Sequence, residues 1–308
     1  MPSQGLRSSP EKVDLGKALI FDPRLSRSQL ISCNSCHNLA TGGVDLQATS
    51  TGHGWVQGGR NSPTVLNAGF HVAQFWDGRA PDLKAQAAGP IANPVEMAHT
   101  HGDAVGTLKA IPGYTKLFEA AFPDDAEPIS IDTITDAIAV FEQTLVTPNA
   151  PFDQFLEGDL DAMTSQQLQG LDVFMVSGCA GCHAGALLGG DSYQPFGLVE
   201  DPSDAIRPAA DKGREEVTDD EADRYAFKVP SLRNIELTPP YFHTGAVWSL
   251  DDAVNVMAKT QLGAEMSSDD RAAVVAFLTS LTGDQPTVTL PALPASTAGT
   301  PEPDIASD

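Results

Sequence analysis

The chain is poor in several things at once. It has four cysteines in 308 residues, and 18 lysines and arginines against 41 aspartates and glutamates, for a formal charge of −23. The shortage of basic side chains disfavours nucleic acid, whose binding needs Lys and Arg to neutralise phosphates. It equally disfavours an anionic membrane surface and favours a basic partner. No apolar run approaches the length of a transmembrane helix, so no membrane insertion is expected. Strand-like alternation of apolar and polar residues is scarce, which argues against a sheet protein. The opening residues, Met1-Pro2-Ser3-Gln4-Gly5, are polar and lack the apolar stretch of a secretory signal. An exported protein would therefore be a mature form with a new initiator.

The few cysteines are concentrated. All four fall in one five-residue pattern used twice, Cys33-Asn34-Ser35-Cys36-His37 and Cys179-Ala180-Gly181-Cys182-His183. C-x-x-C-H is the attachment signature of a c-type haem. The two thiols bond covalently to the porphyrin edge, and the adjacent histidine reaches the iron from one face. A disulfide, a zinc site or a redox C-x-x-C are the blander readings. No cysteine lies outside the motifs and a histidine follows each pair at once, so two covalently bound haem c groups are expected.

A chain of this length suits two domains. The motifs divide it into 1–146 and 147–285, one haem each, with a Pro-rich tail over 286–308 that drapes on the surface or is disordered. The boundary sits at Thr147-Pro148-Asn149-Ala150-Pro151. Helix signals are clear at Ser9-Pro10, over 104–122, from Ser130 to Val146, after the capping-box sequence Thr164-Ser165-Gln166-Gln167, and over 249–259 and 268–281. Residues 38–102 and 185–230 are rich in loop formers, and the acidic run 215–223 reads as a solvated surface. The fold class expected is mainly α: two cytochrome-c-like haem domains with long loops and few or no strands. Apart from the two haem motifs, no internal repeat stands out.

Each iron has a second axial position, and its occupant decides between electron transfer and chemistry. The remaining histidines are His53, His71, His99, His101 and His243. Among the methionines, Met175 lies on an apolar helix face and reads as core, while Met97, Met257 and Met266 stay open as ligands. Spacing alone does not choose among them.

The loops between the motifs carry more. Phe21-Asp22-Pro23-Arg24-Leu25-Ser26, Gly52-His53-Gly54-Trp55, Arg60-Asn61-Ser62-Pro63-Thr64, Gln74-Phe75-Trp76-Asp77-Gly78-Arg79 and Val95-Glu96-Met97 occur in the first half. Pro230-Ser231-Leu232-Arg233-Asn234, Pro240-Tyr241-Phe242-His243-Thr244-Gly245 and Val256-Met257 follow in the second. In these stretches the chain resembles the bacterial di-haem cytochrome c peroxidases, from about Leu15 to about Pro286. The resemblance implies roles residue by residue. His37 is the proximal ligand of the peroxidatic, low-potential haem, and His53 occupies its distal side at rest. His183 and Met257 ligate the high-potential haem. Trp76 lies between the haems, and Glu96 is the distal acid–base group. Asn61 and the backbone carbonyls of Thr238 and Pro240 hold calcium. His71, His99 and His101 fall where the family has no ligand and read as ordinary loop or surface residues.

The activity implied is reduction of hydrogen peroxide to water, with electrons from a small donor protein, a cytochrome c or a cupredoxin. The resting enzyme needs reductive activation, through release of His53 from a glycine-flanked loop. A homodimer in the periplasm is also implied. Two other classes compete. One is a di-haem electron-transfer cytochrome without peroxidase activity. The other is the related di-haem enzymes that mature quinone cofactors, which carry tyrosine where this chain has Met257.

Overall fold

The computed structural model describes residues 8–306, so the opening Met1-Pro2-Ser3-Gln4-Gly5 lies outside the described residues. Among the described residues there are eleven α-helices: α1 (Pro10–Phe21), α2 (Cys33–Cys36), α3 (Leu83–Ala92), α4 (His101–Lys109), α5 (Pro112–Ala121), α6 (Ile131–Glu142), α7 (Pro151–Leu156), α8 (Ser165–Val176), α9 (Glu215–Thr218), α10 (Leu250–Leu262) and α11 (Ser268–Thr279). Two three-residue strands, β1 (Tyr193–Pro195) and β2 (Ala226–Lys228), pair antiparallel with Tyr193 opposite Lys228. The architecture is mainly helical, as expected.

The helices start where side chains can satisfy their free N–H groups. Ser9 Oγ accepts from the Lys12 N–H at 3.2 Å. Thr164 and Gln167 form the reciprocal box, Gln167 N–H to Thr164 Oγ1 at 3.3 Å and Thr164 N–H to Gln167 Oε1 at 2.8 Å. The helical signals over 104–122 resolve into α4 and α5, because Pro112 has no N–H to continue a ladder and starts a new helix instead. Helix α3 falls inside a region expected to be irregular. Its signals are Asp82 as N-cap and Leu83, Ala87 and Ile91 buried at four-residue spacing, masked by Gly89 and Pro90.

Burial divides between two main cores. Leu15, Leu19, Leu108, Phe118, Ile134 and Ile138 centre the first, and Met163, Phe174, Val274, Phe277 and Leu281 the second. Each core is built on one helix crossing at a glycine. A Cβ on Gly16 would lie 1.9 Å from the Ala137 carbonyl oxygen, and one on Gly170 would lie 1.8 Å from that of Ala273. So α1 seats on α6 and α8 on α11 by direct backbone approach, with Phe141 and Phe277 beside the two glycines. The halves thus repeat a packing device that their sequences do not advertise. Met175, expected in the core, is 57% exposed, because the buried side of α8 runs through Gly170 and Phe174 and the next residue points away.

The stretch between the halves is pinned. Thr147 Oγ1 accepts from Asn67 Nδ2 at 2.8 Å and from Asn234 Nδ2 at 2.9 Å. The tail returns to the first half, where Val288 and Leu293 pack on its core and Asp304 pairs with Arg27 at 2.7 Å. Overpacking a tight core typically costs about 1–3 kcal/mol. Gly16→Ala and Gly170→Ala should each destabilise the protein by at least that much in a thermal melt. Gly106→Ala, with nothing within 4 Å of the added methyl, should be neutral or slightly stabilising.

Candidate active site: two haem-attachment turns and the region between them

Both C-x-x-C-H stretches fold as one tight turn. The His37 N–H donates to the Cys33 carbonyl at 2.9 Å, and the His183 N–H donates to that of Cys179 at 2.9 Å. Helical spacing puts residues three apart on one face, so both sulfurs of a pair face the same side. None of the four cysteines is joined in a disulfide. Burial pushes Cys33 up to about 12 and Cys36 up to about 11. These are not the depressed thiols of a redox C-x-x-C.

The two histidines are held alike. His37 Nδ1 lies 3.0 Å from the Pro63 carbonyl oxygen, and His183 Nδ1 lies 3.1 Å from that of Leu188. A carbonyl accepts only, so each Nδ1 carries the proton and each Nε2 is left with its lone pair for a metal. Burial, the largest influence on both, lowers their pKa and keeps the rings neutral, as ligands must be. His183 opens on an apolar cavity with Cys179, Cys182, Phe174, Val254, Leu278, Met257 and Met266. These residues fit a haem: paired thiols, an oriented imidazole and a largely apolar wall. The structure brings two methionines, not one, to this cavity. Met97 instead sits in the first core.

His53 and Glu96, distant in sequence, are joined through the backbone. The His53 N–H donates to the Glu96 carbonyl at 2.7 Å. A Cβ on Gly52 would lie 2.2 Å from the Val95 carbonyl oxygen, so this glycine is required by close approach. Gly54 has φ 63°, the left-handed region that glycine tolerates. The His53 side chain is buried and its Nε2 lies 3.2 Å from the Ala306 carbonyl oxygen at the end of the tail. Glu96 accepts a hydrogen bond from Asn93 Nδ2 at 2.6 Å, and burial raises its pKa.

Between the turns lies a second cluster. The Asn61 N–H donates to the His243 carbonyl at 2.7 Å, and the Asn61 carbonyl accepts from Trp76 Nε1 at 2.8 Å. The Trp76 and His243 rings meet edge-on, 6.3 Å apart. Asn61, Trp76, Thr238 and Pro240 all line the cavity that contains His183. Beside them Arg60 grips Asp211 through two bonds of 2.8 and 2.6 Å and reaches Asp77 at 2.5 Å. Among the described residues, no three His, Cys, Asp or Glu side chains converge as a metal site.

Several residues carry more than sequence reading assigned them. His71 is no free loop side chain: its Nδ1 meets Lys228 Nζ at 3.0 Å. Glu142 is buried on α6 with its pKa pushed up to about 8 by burial. Its signal in the sequence is a charge that directly follows the apolar run Ala137 to Phe141. The acidic run is not wholly solvated either, since Glu216 reaches Arg60 at 3.4 Å. His99 Nδ1 lies 3.2 Å from the Leu25 carbonyl oxygen and His101 Nε2 2.8 Å from that of Ala88.

Two attachment turns in a helical protein define a di-haem c-type cytochrome, and comparison with known proteins narrows the class. Residues 10–161 match the family model described as di-haem cytochrome c peroxidase. The chain is 53% identical over 300 residues to a cytochrome c551 peroxidase of Pseudomonas aeruginosa, covering 97% of this chain and 87% of the relative. It is also 53% identical over 304 residues to one of Nitrosomonas europaea, covering 97% and 90%. A solved MauG-like protein associated with microbial copper homeostasis superposes with a TM-score of 0.81 at 28% identity, covering 92% of this chain and 93% of that one. The chain belongs to the di-haem cytochrome c peroxidase family.

Proposed function

We propose that the protein reduces hydrogen peroxide to water, taking electrons from a small redox protein. The observation that supports this reading is the backbone junction of His53 with Glu96, which brings a half-buried acidic residue and a buried histidine, far apart in sequence, to one loop junction. Haem, attached through its porphyrin edge to the cysteines and through its iron to the histidines, would supply the redox chemistry. The chain's own residues do the rest. His37 would hold the first iron. His53 would be its second ligand at rest, and its release from the glycine-flanked loop, promoted by reduction of the second centre, would open the site to peroxide. Glu96, with its raised pKa, moves a proton from one peroxide oxygen to the other. His183 and Met257 would hold the second iron, the thioether favouring a high potential. Trp76, fixed by Asn61, fills the path between the centres.

Asn61 with the Thr238 and Pro240 carbonyls suits calcium, which prefers neutral and charged oxygens over nitrogen or sulfur. One haem per domain, with domains over 1–146 and 147–285 and the tail 286–308 returning to the first, agrees with the two cores. Among the described residues no helix is long and apolar enough to cross a membrane. Periplasmic residence, a cytochrome c or cupredoxin donor and a homodimer rest on the family resemblance.

Peroxide turnover with reduced cytochrome c tests the reading. Half-reduced protein should be active and fully oxidised protein nearly inactive. Glu96→Gln should lose about 10²–10⁴-fold in rate with both haems bound, and a calcium chelator should lower the wild-type rate until calcium is restored. Wild-type-like turnover in Glu96→Gln rules out its role. The two cavity methionines separate in a redox titration. Met257→His should lower the potential of the second centre, whereas Met266→Leu should leave it unchanged. The reverse pattern makes Met266 the ligand.

A further inference from the structure

The cavity that contains His183 also holds a charge that the protein does not balance. Lys228, the last residue of β2, is 6% exposed. Its N–H donates to the Trp76 carbonyl at 2.8 Å, and its Nζ lies 3.0 Å from His71 Nδ1. An ammonium can only donate, so His71 Nδ1 accepts and Nε2 carries the ring proton. That Nε2 is buried without a partner. Burial pushes Lys228 down to about 8, leaving it largely charged at neutral pH. Burial, with Lys228 beside it, pushes His71 down to about 3, so the ring stays neutral.

Lys228 and His71 line the same cavity as Cys182 and His183. Among the described residues lining it there is no aspartate or glutamate, and no second lysine or arginine. A buried cation is strongly unfavourable unless an anion meets it. Here the anion must come with whatever fills the cavity. A haem carries two carboxylates on short arms, so the missing partner and the expected occupant match in charge and chemistry.

We propose that Lys228 and His71 form the seat of a propionate of the haem attached at Cys179 and Cys182, with the ammonium pairing to the carboxylate and His71 Nε2–H donating a second hydrogen bond. The assignment rests on haem attachment at that turn, which a haem count checks separately. It has an electrostatic consequence. A cation that neutralises a carboxylate beside the iron disfavours the extra positive charge of the oxidised state, so Lys228 raises the reduction potential of this centre. The Lys228 N–H on the Trp76 carbonyl places the seat beside Trp76.

The test is a spectroelectrochemical titration of the holoprotein as wild type, Lys228→Met, Lys228→Arg and His71→Phe, each counted for two haems. Lys228→Met should shift the redox equilibrium of the second centre at least tenfold toward the oxidised state, 59 mV for one electron, with the first centre shifted less than threefold. Lys228→Arg should recover most of that loss. His71→Phe should give a smaller fall of the same sign. Should Lys228→Met lose a haem, Lys228→Gln takes its place with the same expectation. An unchanged second centre in the Met or Gln variant overturns the proposal, as does an equal fall in Lys228→Arg or a larger shift at the first centre. Wild-type potentials should agree in chloride and in sulfate at equal ionic strength. A chloride-specific shift would assign the seat to a solvent anion and overturn it too.

Discussion

Each centre depends on one short contact that does not involve a cysteine. The Pro63 carbonyl fixes His37 through Nδ1, and the Leu188 carbonyl fixes His183 in the same way. Remove the carbonyl and the ring is free to rotate or to change tautomer, and the lone pair meant for iron no longer has a fixed direction. The acceptor is a backbone atom in both cases, so the surrounding loop geometry, not the acceptor's side chain, sets the ligand. This gives the long irregular segments their task. Residues 61–67 and 184–190 need not be helical, because their work is to bring a carbonyl to a histidine.

The same segments also link the halves. Asn61 follows the Arg60 ion-pair cluster, precedes Pro63, and is fixed on one side by His243 and on the other by Trp76. A bidentate arginine–carboxylate pair is among the stronger polar contacts available, and Arg60 makes one with Asp211 from the other half. Rigid positioning of Trp76 and of the carbonyl on His37 are therefore parts of one construction. The tail adds a second link, running from the second half back over the first core to the His53 loop.

Much of this was legible in the residues. The attachment turns follow from cysteine spacing alone, and Ser9, Thr164 and Ser249 mark their helix starts openly. Other features depend on contacts between residues far apart in the chain. Nothing local in Gly16 or Gly170 reveals a carbonyl from another helix within 2 Å of a missing Cβ. Helix α3 was hidden by Gly89 and Pro90 although its Asp82 cap was visible. Met175 was misread because an apolar residue next to an apolar face need not belong to it. His71 looked like a loop histidine because its partner, Lys228, lies 157 positions away. The backbone contact of His53 with Glu96 is of the same kind, and only the folded backbone shows it.

Every role assigned to the two turns requires covalent haem at both. The direct measurement is the intact mass of the purified holoprotein after denaturation and removal of free haem. The expected value is the chain mass plus two haems, with one haem on the peptide containing Cys33 and Cys36 and one on that containing Cys179 and Cys182. A chain carrying no haem, or carrying it on one peptide only when made with the c-type maturation machinery, would contradict it.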